Sequence, residues 1–564
     1  MEKGNDFLHN VYVKAIFPNM IALLGGTINV FVDGILVGRK MGELGMAAVN
    51  QSLAVYLIIC TIGSLFAAGA SAESAHAIGK SDVEKGKAYF SLSVELALLS
   101  GLLFCGISSL FVPQLARMLG APTTYDLVES YIRIILFGGI FKILLYIPYF
   151  YLRLEGKMRQ SATAMLTMTI LNIVLDYIFL FPMDMGVAGS ALASVLATMV
   201  ACVMSFWFLL RGENAMFHFK PIAIRWEPVK QILSGGSPIA SDNLFSAVRI
   251  VVLNSIMNLV GGSSMVALFA ITNNLNEFSL CVQNGVPQTG SALLGVCHGE
   301  SDEKAVKELL WLELRTGLIF SVVFAGITMV FSDKIGLLFG STQDVRLAVC
   351  CWAVGLLFGT ANNIMTYYYY AIRNASMANL ITILRIFAVT AAMAWCMRGL
   401  GDWIWLFYPA AELVTAVIWM GYGSFLASKR NQTLYLLKKA DGASRNYIVD
   451  CNPETICSIS AGVNEFCEEN GLDPTQTMTL SLALEELMMI TADKTLKNQG
   501  TMDVRILMVQ DGALLRIRAG GEPYNPLEHE KDNLDFMGVQ MIMRMATRAE
   551  YQSTLGLNTL IVEI

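Results

Sequence analysis

The chain has 564 residues, of which 55% are hydrophobic and only 15% charged, with a mean hydropathy of +0.55. Soluble domains carry about 25% charged residues, so water does not solvate most of this chain. A net charge of −6 offers no basic surface for nucleic acid.

At the N-terminus, MEKGNDFLHNVYVK lacks a short apolar core with a small-residue cleavage site, so no cleaved signal peptide is expected. Apolar runs of about 20 residues, each long enough to cross a bilayer, follow at 14–37, 46–70, 88–112, 131–152, 162–183, 186–210, 233–260, 265–293, 312–331, 347–371, 377–398 and 403–427. They predict about twelve transmembrane helices. The first holds one acid, Asp33, within GGTINVFVDGILVGRKMGELGMAAVN (Gly25–Asn50). An ionised acid at membrane depth costs roughly 2.5 kcal/mol or more, which marks Asp33 as functional. The competing reading puts it at an interfacial helix end beside Arg39 and Lys40.

In the fifth run, LNIVLDYIF, Asn172 and Asp176 stand four apart and share a helix face. Interhelical hydrogen bonding alone returns about 0.6 kcal/mol, too little to account for burying an acid. The eighth run places Asn273, Glu277, Asn284 and Gln288 within about 60° of helix surface, a stripe suited to a watery cavity. Pro287 is expected to kink that helix. Arg249, Arg385, Asp242 and Glu412 are further ionisable residues in apolar runs, explained equally by snorkelling or pairing. Of eleven cysteines, eight lie in the membrane part of the chain and none has paired metal spacing; they read as small buried hydrophobes.

Lys and Arg concentrate in the loops after even-numbered runs and in the stretch from Lys429 to Lys439, which predicts cytoplasmic ends for the chain. The sequence also repeats. Gly79-Lys-Ser-Asp82-Val-Glu-Lys85 returns as Gly299-Glu-Ser-Asp302-Glu-Lys304, an offset of 220, and a Tyr-rich segment from Tyr149 returns from Tyr367. Two six-helix copies in one orientation imply a pseudo-two-fold axis along the membrane normal. By the same offset the mate of Asp33 lies near Asn254, which is not an acid. Gly79-Lys80-Ser81 is no phosphate loop, because the first Gly of that motif falls at Ser74.

VDGILVGRKMGELGMAAVN, the Gly-Lys-Ser-Asp loop and ILNIVLDYIF together resemble the multidrug and toxic compound extrusion (MATE) transporters over about residues 1–430. The resemblance implies two six-helix lobes and cation-coupled efflux of amphipathic, often cationic compounds. It implies a coupling site for H⁺ or Na⁺ at Asp33, Asn172, Asp176 and Ser194 in the first lobe. A coupling acid in the tenth helix has no counterpart here.

From about Ala443 the composition changes. NYIVDC reads as a strand, followed by two helices, paired strands MDVRILMVQ and ALLRIRA around Asp511-Gly512, a helix from about Met537 and a final strand NTLIVEI. This is an expected α/β sandwich. ALEEL (Ala483–Leu487), GGEPYNPL (Gly520–Leu527) and the chain's end resemble the ATP-binding domain of anti-sigma-factor serine kinases, within the histidine-kinase-like ATPase superfamily. The nucleotide positions of that pattern read Glu486, Ile490, Ala519, Gly521 and Gly538. Ile490 cannot ligate Mg²⁺ and Ala519 cannot accept from adenine, so a degenerate, regulatory domain without ATP or Mg²⁺ is expected, with Glu486 a surface helix residue.

The expected organisation is a mainly α membrane protein with lobes at 1–215 and 216–427, a basic linker at 428–442 and a cytoplasmic domain at 443–564. The expected function is a secondary antiporter in the cell membrane that needs no cofactor beyond H⁺ or Na⁺, with Asn273, Glu277, Asn284 and Gln288 lining the substrate cavity and a cytoplasmic protein as partner of the tail. Two alternatives are a lipid-linked saccharide flippase of the same superfamily, which would need cavity cations, and a membrane-anchored serine kinase or sensor, which would not need twelve spans.

Overall fold

In lipid, an apolar chain satisfies its backbone by forming helix, and the computed structural model is helical through most of residues 6–430. It describes residues 6–564 apart from 81, 121, 212–215, 222–224, 339–343, 431, 433–434, 436, 438–441, 510–511 and 530–536. Ser81, Asp511 and much of the basic stretch 429–439 therefore lie outside the described residues.

Among the described residues, eleven helical stretches are long and apolar enough to cross a membrane. The first ten, numbered here as spans 1 to 10, are Leu8–Gly42, Leu44–Gly79, Val83–Leu110, Tyr125–Leu154, Met158–Leu180, Gly186–Leu210, Trp226–Gly262, Ser264–Gly299, Glu303–Val330 and Arg346–Ala371. The eleventh, Ala375–Lys429, holds 55 residues. It breaks at the 3-10 segment Arg398–Leu406, where Gly401 has φ 58°, and so supplies span 11 (375–397) and span 12 (Phe407–Arg430). The helices outrun the apolar runs because hydropathy marks only the lipid-facing length. Span 2, for instance, continues to Gly79, nine residues past its apolar run.

The internal repeat is built into the backbone. Spans 1 and 2 turn at Gly42 (φ 64°), and spans 7 and 8 turn at Gly262 (φ 61°), 220 positions on. Both need a residue without a Cβ penalty. Asp82 caps span 3 by accepting from the Lys85 amide at 3.1 Å, and its mate Asp302 caps span 9 by accepting from Ala305 at 3.1 Å.

The two halves meet tightly at the end of the bundle that carries the tail. Gly79 of span 2 lies against the backbone of Val296 and Gly299, and Gly69 against that of Ile232 and Gly236, with no room for a Cβ at either. Tyr370 donates to the Ala68 carbonyl at 2.6 Å, and Arg373 pairs with Glu73 at 2.7 Å. The lobes are thus closed on each other on the tail side.

The tail is a five-stranded antiparallel sheet in the order β1-β2-β3-β5-β4. Its strands are Ser444–Asp450, Thr501–Val509, Gly512–Ala519, Arg548–Thr554 and Leu557–Glu563 (β1 to β5). Helices Pro453–Glu469 and Pro474–Ile490 begin with Asn452 and Asp473 as caps and proline in the first turn. They share an apolar core with Met502, Val504, Ile506, Leu515 and Ile517 from one sheet face.

The other sheet face carries Asp503, Arg505, Arg516 and Arg518, with Asp503 opposite Arg518 and Arg505 opposite Arg516. This charged face is buried against the loop between spans 8 and 9. Arg505 donates to the Glu300 and Ser301 carbonyls at 3.1 and 2.9 Å. Arg516 bonds Asp302 at 3.0 Å and Asp503 at 2.6 Å, and both Arg516 and Arg518 pair with Glu300. Burial pushes the Asp302 carboxyl up, but Arg516, Arg505 and Arg518 outweigh it and hold the group down at about 2. At another edge the β4–β5 turn donates its Leu555 amide to the Leu154 carbonyl at the end of span 4, 3.2 Å away. The tail therefore touches both lobes.

Candidate functional site

Span 1 delivers Asp33 into the first lobe, away from its own end. Ser190 of span 6 donates to Asp33 Oδ1 at 2.7 Å, while Lys40, nearer the helix end, pairs with Asp184 at 2.7 Å. Span 5 brings Asp176 beside this pair, where its polar neighbours are Asp33 and Ser190. Asp176 is fully buried, and neither carboxyl oxygen meets a hydrogen-bond donor at bonding geometry. One helical turn away, Asn172 donates to Ser194 Oγ at 3.2 Å, and its own carbonyl oxygen has no partner. The fold thus gathers Asp33, Asn172, Asp176 and Ser194 between spans 1, 5 and 6. It adds Ser190, which stands one turn before Ser194 on the same face of span 6, and Tyr131 of span 4, close enough to feel the charge of both acids. The i, i+4 spacing of Ser190 and Ser194 was the available signal for the former.

Between the lobes lies a cavity of about 290 Å³. Asn284 and Gln288 of the expected stripe line it; Asn273 and Glu277 do not. Span 8 breaks at Asn284, between the helices ending at Gln283 and starting at Gly285, so the stripe is not presented as one straight face. Glu277 instead offers its backbone carbonyl to Thr27 at 3.2 Å. Gln288 links the lobes by accepting from Tyr149 at 3.2 Å and donating to Tyr367 at 2.9 Å.

The cavity also contains Lys142 and Asp242. Lys142 is a cation within the apolar FGGIFKILLY that the sequence reading passed over; it lies 5.4 and 5.9 Å from the Tyr56 and Tyr146 rings. Asp242 stands 3.6 Å from Arg385, which occupies a π-helical turn of span 11, Leu384–Ala388. Aromatic and thioether side chains such as Tyr146, Tyr149, Met165 and Met168 make up much of the remaining wall, a surface suited to apolar bodies with a polar or charged end.

In the tail, Ile490 and Ala519 are buried within the apolar core. Glu486 is not a free surface residue: its carboxylate accepts from the Val539 amide at 2.9 Å, at the start of the helix Met537–Met545 in which Gly538 is the second residue. That satisfies one of the unpaired amides of a helix start. Gly521 holds φ 108° and accepts from Asn558.

The MatE family model matches residues 18–178 and again 238–397, two copies at the offset of the internal repeat. The multidrug export protein MepA of Staphylococcus aureus is 24% identical over 329 residues, covering 58% of this chain and 71% of that protein. MepA of Staphylococcus saprophyticus is 24% identical over 356 residues, covering 62% and 77%. Among solved structures, a MATE transporter in complex with MaL6 and an outward-facing multidrug resistance MATE transporter each superpose with a TM-score of 0.72 at 22% identity, covering 77% of this chain and all of theirs. A transporter of the MOP superfamily from Pyrococcus furiosus aligns with a TM-score of 0.70 at 22% identity, over 75% of this chain and 96% of its own. With more than half of its length matched by the family model, this multi-pass membrane chain belongs to the MatE family of multidrug efflux transporters.

Proposed function

We propose that the protein is a cation-coupled antiporter that exports amphipathic or cationic small molecules by alternating access, with Asp33 and Asp176 as the coupling pair. The observation that carries this reading is the buried Asp176 carboxyl beside Asp33, with no hydrogen-bond donor at bonding geometry among the described residues. Two carboxyl groups so close in a low dielectric cannot both stay ionised without a proton or Na⁺ between them. Asn172, Ser190 and Ser194 supply the oxygens that a bare cation would need. Loading from the far side would draw span 1 towards spans 5 and 6, reshape the cavity wall that span 1 contributes through Ala22, Leu23 and Gly26, and release the substrate outward. The names of the MepA relatives, multidrug export proteins, support the substrate class. Among the described lining residues the cations reduce to Lys142, which does not make the many-cation cavity that a lipid-linked phosphate would ask for.

The tail is read as a regulatory module with the fold of a histidine-kinase-like ATPase domain and no catalysis, on the cytoplasmic side with both chain ends. Its contacts with Leu154 of one lobe and Glu300–Asp302 of the other support a role in restraining lobe separation. A cytoplasmic protein that competes for the same sheet face would release it.

The test is transport of a cationic dye by the full-length protein in proteoliposomes under separately imposed proton and sodium gradients. One of the two gradients should drive uptake, and Asp33→Asn or Asp176→Asn should abolish the driven component while the folded protein is retained. Near-normal driven transport by either variant would overturn the reading.

A further inference from the structure

Span 9 carries an acid that the coupling pair does not use. Glu313 lies ten residues into the span from its tail-side end, is fully buried, and has no hydrogen-bond partner for either carboxyl oxygen among the described residues. Span 8 makes room for it with Gly290, where a Cβ would fall on the carboxyl group itself. Span 10 faces the neighbouring turns of span 9 with Ile364, against Gly317, and with Thr360, against Ser321, none of which titrates. Among the described residues the titratable group nearest this turn is Tyr12 of span 1, itself buried, bonded to Thr316 at 3.3 Å and close enough to Glu313 to feel its charge. On the same spans His9, Lys14 and Arg315 are exposed and face away from it.

The placement spans the two lobes. Tyr12 and Phe17 of the first lobe meet Thr316 and Phe320 of the second, the latter pair with ring centroids 5.9 Å apart. These contacts tie span 1 to the face of span 9 that carries Glu313, Thr316 and Phe320. An ionised carboxyl cannot stay in such surroundings unpaired, so here it carries its proton. An aliphatic residue would fill the same space at lower cost, so packing does not explain the acid.

We propose that Glu313 is a second proton-binding site, in the second lobe, loaded while the lobes are closed on the tail side and emptied to tail-side water when they part. This rests on the alternating-access reading. Separation of the lobes draws Tyr12 and Phe17 off span 9, water reaches the carboxyl, and the O–H proton leaves to that water. Protonation then favours the tail-side-closed form, and alkaline pH on the tail side favours its opening.

The experiment is infrared spectroscopy of the full-length protein in detergent at neutral pH, comparing wild type with Glu313→Gln in the region of protonated carboxyl stretches. Loss of one band in the variant is expected. Tyr12→Ala, which opens a water path while leaving the acid in place, should remove the same band and serves as the second arm if Glu313→Gln does not accumulate. Asp33→Asn should leave that band in place even where it stops driven transport, which separates this site from the coupling pair. In oriented proteoliposomes the dependence of substrate entry on tail-side pH should flatten in Glu313→Gln and persist in Glu313→Asp. Superimposable spectra for wild type and Glu313→Gln, or for wild type and Tyr12→Ala, would overturn the proposal.

Discussion

Ser190 of span 6 holds Asp33 of span 1 by a 2.7 Å hydrogen bond, and the fully buried Asp176 beside them has no donor of its own. Ser190→Ala should therefore tighten proton loading without removing the acids. A hydrogen bond to a charged group is worth about 1.5–3 kcal/mol and favours the ionised carboxylate, so with H⁺ as the coupling ion the proton concentration at half-maximal transport should fall roughly tenfold to a hundredfold. Titration of the driving ion in proteoliposomes measures it, and an unchanged midpoint would remove Ser190 from the site.

Replacing Arg516 by Ala should undock the tail. It leaves Glu300, Asp302 and Asp503 buried without their shared cation, and breaking a buried pair in this way costs about 3–5 kcal/mol. Hydrogen exchange at β3 and at the loop 300–302 should accelerate in the variant while the spans keep their protection.

The same contact has a defined pH limit. The folded Asp302 carboxyl is lowered from 3.8 to about 2, so its contribution is complete above about pH 4 and is lost as pH falls towards 2. Docking read by hydrogen exchange should be insensitive to Asp302 between pH 5 and 8. Acidification of an Asp302→Asn variant should show a smaller loss than wild type over the lower window.

Gly79→Val should favour the tail-side-open form, because the added carbons meet the Val296 carbonyl and the Gly299 backbone. Overpacking of this kind costs about 1–3 kcal/mol, a population shift of roughly 5- to 150-fold. A maleimide applied from the tail side should label Thr382→Cys, which lines the cavity, faster in the Gly79→Val background than without it, on a chain whose native cysteines have been replaced.

On the proposed reading of the tail, full-length protein should give no saturable Mg-ATP binding in calorimetry, because the residues that match the metal and adenine positions of the resembled pattern are Ile490 and Ala519, both buried in the tail's apolar core. A saturable heat that disappears on an Ala519→Trp substitution would contradict this.

Much of the membrane architecture was legible because lipid forces a length and a composition on each span, and because duplication leaves matched residues such as Asp82 and Asp302. The acids Asp33 and Asp176 stood out for the same reason: an apolar run makes every charge conspicuous. Lys142 and Glu313 were equally conspicuous but lacked a neighbour in the sequence to explain them; their partners come from other spans. The division of the span 8 stripe at Asn284 depends on a local break that periodicity averages over. In the tail, β2 and β3 were legible as paired strands, and the ordinary reading of a sheet face that carries Arg505, Arg516 and Arg518 is solvent. That it is buried depends on an acidic loop two hundred residues earlier in the chain.

That loop has a counterpart. The repeat offset that matches Gly79 with Gly299 also matches Lys80 with Glu300, and both loops lie at the same end of the bundle. Lys80 is exposed, whereas Glu300 is buried under two arginines. The two loops thus stand at matched positions of the repeat, and the sign of the charge at one position separates them. Reversing that sign, Lys for Glu at 300 and Glu for Lys at 80, would turn the choice of lobe into a measurable handedness of the whole assembly.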